Sequence, residues 1–152
     1  MTITSLPRTP LVGLVVVTHG NAAQALLDAV AGILGALPSA EAVCISMEER
    51  IDGIRERVGQ ACENVDGGAG VLLLVDLQGS SPYQACMAML DGSRPAELVS
   101  GVNLPMLMKL TTIDRTLVGP VEMANLLRDV GRRSIRTGAE LTGKTTVQEV
   151  VR

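Results

Sequence analysis

Three runs of branched apolar residues punctuate the chain, Leu11–Val17, Ala42–Met47 and Val71–Val75, with a weaker run at Glu97–Val102. Each is continuous rather than alternating. That pattern fits strands buried on both faces, as in a parallel sheet covered by helices on either side. Between the runs the apolar spacing becomes helical. Ala22–Leu37 carries Leu26, Leu27, Val30, Ile33, Leu34 and Leu37 on one broad face, and Pro38 is expected to end it. Glu48–Val65 places Ile51, Ile54, Val58, Ala61, Cys62 and Val65 at helical spacing with charges between them. The glycine-rich turn Asp66–Gly70 then leads into the third strand. Ser81-Pro82 reads as the cap and first residue of a helix through Tyr83–Leu90. Further helices are expected through Pro105–Leu110 and Pro120–Val130, while Ser134–Leu141 fits either a short edge strand or a loop.

Strand and helix in alternation predict an α/β fold: a doubly wound, mostly parallel central sheet with helices on both faces. Such sheets place their sites beyond the carboxyl ends of the strands, where the strand order reverses. At 152 residues the chain is expected to form one domain over residues 11–152, behind a flexible N-terminal tail of residues 1–10. An apolar fraction of 47% against 19% charged residues argues against disorder.

Charge and composition remove several function classes. A net charge of −3 gives nucleic acid and anionic membranes no electrostatic attraction. The small basic cluster of Arg128, Arg132, Arg133 and Arg136 reads as a solvated face. Tyr83 is the only aromatic residue, so there is no base-stacking platform. The first apolar run is too short to span a bilayer, and no cleavage site follows it, so no signal peptide is expected. Cys44, Cys62 and Cys86 lie in apolar segments without metal-ligand spacing, which suits core residues of a reduced, cytoplasmic protein. The Met106–Met108 stretch likewise reads as core.

The candidate chemistry gathers at two strand ends. His19, the single histidine, follows the first strand directly and precedes the first helix. A helix N-terminus disfavours imidazolium and favours an anion bound beside the ring. Gly20 permits close approach of a ligand or partner backbone. Asp76 ends the third strand in the same way. If the strand order reverses beside strand one, strands one and three are neighbours and Asp76 meets His19. A carboxylate on one ring nitrogen would fix the tautomer and leave the other lone pair free to attack. The loop Gln78-Gly79-Ser80-Ser81-Pro82 would add backbone N–H groups, two hydroxyls and a second helix N-terminus, together a small oxyanion or phosphate cradle. Taken singly none of these is specific. A lone histidine at a strand end is commonly structural, Asp76 could be a turn residue, and Ser-Pro is a common helix start. Their joint position at one sheet edge carries the functional reading.

Three motifs then extend it. LVVVTHGNAAQALL, GVLLLVDLQGSSPYQA and LVSGVNLPMLMKL resemble, in order and spacing, the IIA domain of the mannose-family sugar phosphotransferase system, over about residues 11 to 131. The resemblance implies a transferase. A phosphoryl group would be accepted on a histidine from the histidine-containing phosphocarrier protein and passed to a IIB component that phosphorylates incoming sugar. It places the phosphoacceptor at His19, the orienting aspartate at Asp76 and the loop serine at Ser81. Thr18, Gly20, Gly79 and Ser80 complete the expected phosphate- or partner-binding set. It implies no metal and no cofactor, a homodimer, and contact with the membrane only through a transporter complex. In this family a C-terminal strand is often exchanged between subunits, and Ser134–Leu141 would be that strand. The family loop usually has two glycines before its serine, where this chain has Gly79-Ser80-Ser81. An aromatic residue sometimes follows His-Gly, where this chain has Asn21.

Two related roles share the same histidine. One is a regulatory protein that senses phosphorylation state. The other is the phosphotransferase subunit serving dihydroxyacetone kinase, whose loop tends to lack the serine-proline step present here. A nucleotide- or small-ligand-binding module is disfavoured, because no GxGxxG or Walker-type loop follows any strand.

Overall fold

The computed structural model describes residues 8–143. Most of the expected N-terminal tail (residues 1–7) and the last nine residues lie outside that range. Strands β1 (Gly13–His19), β2 (Ala40–Ile45), β3 (Val71–Val75) and β4 (Ala96–Ser100) form a sheet in the order β2-β1-β3-β4. Every pairing is parallel, so the sheet is wholly rather than mostly parallel. Helices α1 (Ala22–Leu34), α2 (Ile51–Val65), α3 (Ser81–Met87), α4 (Leu104–Leu110), α5 (Pro120–Arg133) and α6 (Gly138–Thr142) complete the described residues.

Side-chain alternation along the strands splits the core into two layers. Leu14, Val16, Leu72 and Leu74 face α1, α4 and α5, where Val30, Leu107, Met123 and Leu127 close over them. Val15, Val17, Leu73 and Val75 face α2 and α3, against Ile54, Val58, Cys62 and Cys86. Both faces of β1 and β3 are therefore apolar, which is why those runs do not alternate. The connection through α1 carries the chain to one side of β1. The connection through α2 returns it across the other face to the opposite side. The order thus reverses between β1 and β3, and the carboxyl ends of these two strands form the switch point.

Several element boundaries differ from the sequence reading, and β1 runs from Gly13 to His19 rather than from Leu11 to Val17, so His19 ends the strand instead of following it. α1 stops at Leu34 because Gly35 takes φ +98, a conformation open to glycine, so Pro38 is not the terminator. β2 begins at Ala40 and ends at Ile45, because Leu14–His19 of β1 fix its register, and Met47 lies outside the sheet. α3 is capped by Ser80, not Ser81. The segment Ser134–Leu141 is neither strand nor plain loop. α5 runs to Arg133, and Thr137 with Glu140 forms a reciprocal capping box that starts α6. The expected exchanged strand is therefore not at these residues. Met106 is buried and Met108 packs against the core, as do Cys62 and Cys86, while Cys44 is partly exposed. Arg128, Arg132, Arg133 and Arg136 are all exposed.

Candidate functional site

His19 is the last residue of β1, and Asp76 is the first residue after β3. Because these strands are neighbours in register, the two side chains meet. Asp76 Oδ2 accepts from the His19 backbone N–H at 2.9 Å and lies 2.8 Å from His19 Nδ1. One carboxylate oxygen thus holds both the strand end and the ring. Partial burial pushes the Asp76 carboxyl up. The His19 N–H, the ring contact and the ring's charge together outweigh it and hold the carboxyl below its ordinary range. A carboxylate on Nδ1 fixes the tautomer with the proton there, so Nε2 carries the free lone pair. The histidine side chain is 36% exposed and the aspartate 26%, so the pair lies open at the surface. The other oxygen, Asp76 Oδ1, is buried and has no hydrogen-bond partner.

The remaining predicted residues fall around this pair with different functions. Thr18 is fully buried. Its hydroxyl oxygen accepts from Ala23 N–H at 2.6 Å, so it ties the start of α1 to the end of β1 and does not present its hydroxyl to a ligand. Gly20 adopts φ +55 and gives its N–H to the Ile45 carbonyl at 2.8 Å. It turns the chain sharply from β1 into α1, and its N–H is already used. Asn21 precedes α1 without a side-chain cap, so apart from Ala23 N–H the first turn of that 13-residue helix, which begins three residues after His19, has no side-chain cap. Gly79 takes φ +82 in the loop after Asp76. The Ser80 hydroxyl donates to the Leu77 carbonyl at 2.7 Å and accepts from Tyr83 N–H at 3.3 Å. That hydroxyl is therefore the cap of α3 rather than a free donor. Ser81, at the first helical position, is exposed.

Sequence reasoning missed two hydroxyl and amide caps that set this edge. The Thr18–Ala23 bond spans five residues across a turn and has no simple motif. Asn103 accepts from Met106 N–H at 3.2 Å and starts α4, and its signal was the Asn-Leu-Pro step. A groove of about 510 Å³ runs along the neighbouring β4 edge, lined by Gln78 and Tyr83 but not by His19 or Asp76. Among the described residues no group of histidine, cysteine and carboxylates could hold a metal, and no helix is long and apolar enough to cross a membrane.

A family model described as the PTS system fructose IIA component (EIIA-man) matches residues 13–120. The chain belongs to that family. The matched span runs from the first residue of β1 to the start of α5, so it contains both His19 and Asp76. Members of this phosphotransferase-system family are transferases in sugar uptake. The chain is 25% identical over 130 residues to the fructose-specific EIIA component of Bacillus subtilis, which covers 86% of this chain and 88% of the relative. It is 27% identical over 125 residues to the mannose-specific EIIAB component of Escherichia coli, with 82% of this chain matching 39% of that longer protein. The fold matches the mannose/sorbose-specific IIA subunit from Enterococcus faecalis with a TM-score of 0.74 at 25% identity, over 84% of this chain and 94% of that one. The expected family and the α/β sheet with helices on both faces are thereby established for this chain.

Proposed function

We propose that this IIA protein is a cytoplasmic phosphoryl carrier. His19 accepts the group from the histidine-containing phosphocarrier protein and passes it to a IIB component for sugar uptake. The observation that carries the reading is the 2.8 Å contact between His19 Nδ1 and Asp76 Oδ2, which leaves Nε2 as the exposed nucleophile. The Nε2 lone pair bonds to phosphorus as the donor's P–N bond breaks, and the donor ring keeps that electron pair. The Nδ1 proton stays on the bond to Asp76, whose negative charge offsets the positive charge developing on the ring. Phosphoryl transfer asks a protein mainly for position and charge stabilisation. The first turn of α1, which begins three residues after His19, favours an incoming anion, and Ser81 with the N–H groups of Gly79 and Ser81 supplies further donors. No metal and no cofactor take part.

A homodimer is part of the same reading. Its support is the outer edge of β4, which has no partner strand among the described residues, and the adjoining groove lined by Leu98, Arg128 and Ile135. Sedimentation at micromolar concentration is expected to give twice the chain mass, and a monomer would remove the dimer from the proposal.

The carrier reading is tested by incubating the protein with phosphoenolpyruvate, enzyme I and the phosphocarrier protein. The expected result is one acid-labile, base-stable phosphate by intact mass, absent in His19→Ala. A His19→Ala variant that is still phosphorylated would sink the assignment. Loss of the group on adding a IIB protein separates a carrier from a purely regulatory member.

A further inference from the structure

β2 is an edge strand, and most of its outer rim is open. Leu14 N–H donates to the Ser39 carbonyl and Gly20 N–H to the Ile45 carbonyl, so the odd-numbered residues of β2 point their backbone groups at β1. Backbone groups alternate along a strand, so those of Ala40, Ala42 and Cys44 point outward. Among the described residues β2 has no second partner strand. Arg57 covers the rim at one end, donating to the Cys44 carbonyl at 3.0 Å. Natural sheets commonly blunt such edges with proline, lysine or a bulge. The sequence of β2, AEAVCI, has neither of those residues. The side chains of Ala40, Ala42 and Cys44 pack against the core layer under α1 and are too small to fill the space beside that helix. The result is a cavity of about 330 Å³, lined by Leu27, Asp28 and Ala31 of α1 with Leu37, Ala40 and Ala42. Asp28 accepts from Gln24 Nε2 at 2.8 Å and belongs to none of the ion pairs among the described residues. Glu41, bordering the same cavity, accepts from Asn64 Nδ2 at 3.1 Å and likewise has no cation.

We propose that the β2 edge and the cavity beside it form a docking site for an extended, basic segment of another protein. The segment adds a strand to the sheet, puts a β-branched side chain into the cavity and sets a cationic side chain against Asp28. Main-chain bonds to Ala40 and Ala42 hold the segment, and the cavity with Asp28 selects its side chains. Alternate residues of a strand share a face, so a segment reading apolar, any residue, basic presents both groups to the cavity. The two acidic groups at the rim disfavour a second copy of this chain, whose net charge is −3, and favour a cationic partner. Neither His19 nor Asp76 lines the cavity, so a docked strand leaves the histidine uncovered.

The probe is the peptide acetyl-Thr-Val-Thr-Arg-Thr-Val-Thr-amide, which presents valine, arginine and valine on one face in either strand direction. It is titrated into the full chain and followed by amide NMR. The expected Kd is below about 1 mM, with the largest shifts at Ala31, Ala40, Ala42 and Cys44. Hydrogen exchange at the Ala42 and Cys44 amides should be fast in the free protein and slow about tenfold at a peptide concentration of about ten times Kd. Exchanging the peptide's arginine for glutamate should weaken binding to wild type by about fivefold, and Asp28→Lys should reverse that preference. Ala42→Pro removes an outward N–H and none of the bonds to β1, so it should abolish binding. Asp28→Lys, at an exposed helical position, reads the same site should Ala42→Pro fail to fold. No binding at about 5 mM peptide would overturn the proposal, as would shifts centred on His19 or on the β4 edge. Amides of Ala42 and Cys44 protected in the free monomer would show that the chain covers its own edge. Protection that appears only as protein concentration rises would assign the edge to a second copy. Either result overturns the proposal.

Discussion

Asp76 uses one oxygen twice. Oδ2 takes the backbone N–H and faces Nδ1 of the same histidine, so the carboxylate sets the strand end and the tautomer together. An asparagine can still accept the backbone N–H but cannot both accept there and carry the charge that balances a phosphorylated ring. Asp76→Asn is expected to slow phosphoryl uptake by roughly 10²–10⁴-fold, the scale seen when a histidine loses its orienting carboxylate, with the fold retained. A stopped-flow or quench measurement with the phosphocarrier protein reads this directly, and a loss under threefold would show that the carboxylate is structural. The same bond predicts a pH dependence of stability. Burial raises the Asp76 carboxyl and the His19 contacts lower it further, so its folded value lies below its unfolded one. Its contribution is complete above the ordinary carboxyl value, about pH 4, and is lost as pH falls through the lower folded value. The stability gap between wild type and Asp76→Asn in urea unfolding should therefore hold steady from neutral pH and close only below about pH 4.

At the scale of elements, the loop after β3 is organised by one hydroxyl. Ser80 caps α3, a helix of seven residues, and ties back to Leu77. Ser80→Ala is expected to cost about 1 kcal/mol in urea unfolding. It should also slow phosphoryl uptake, because the loop that presents Gly79 and Ser81 loosens. A stability loss without a rate change would separate the cap from the site. Which of two adjacent serines caps was not legible in the sequence, since the choice is made by backbone angles: Gly79 at φ +82 delivers Ser80, in extended backbone, to the cap position. The apolar runs of β1 and β3 are legible because burial on both faces keeps polar residues out of them, but β1 also takes in Thr18 and His19, which that pattern leaves outside the strand. β2 was misplaced by two residues because an edge strand shows less of this pattern, and its register is dictated by Leu14–His19 rather than by its own residues. The meeting of His19 and Asp76 was legible only through strand order, an inference from topology that no local pattern carries. Residues 134–141 misled because Ile135 and Leu141 are apolar yet 77% and 69% exposed, while the deciding signal was the polar pair Thr137 and Glu140.

Across the whole molecule the two ends of the sheet are fixed by different means. At the carboxyl end Asp76 binds His19. At the opposite end Arg115, 5% exposed, donates to the carbonyl of Val12 at 2.7 Å and to that of Pro38, joining the loop before α5 to the entries of β1 and β2. No carboxylate pairs with it among the described ion pairs, and burial pushes its guanidinium down to about 10. The group is charged in both folded and unfolded chains at neutral pH. Its desolvation cost is thus constant there and is relieved only as pH rises above about 10, so Arg115 adds no pH dependence near neutrality. Removing it leaves the carbonyl of buried Val12, and that of Pro38, without this donor. Arg115→Ala is expected to cost about 2–3 kcal/mol, seen as a lower urea midpoint at unchanged m-value. Because β1 separates it from the acceptor by about 20 Å, phosphoryl uptake by the folded protein should be unchanged. A fall in uptake comparable with that of Asp76→Asn, at a temperature where Arg115→Ala is fully folded, would show instead that the strand transmits strain from its entry to its exit and that the acceptor geometry depends on both ends of the sheet.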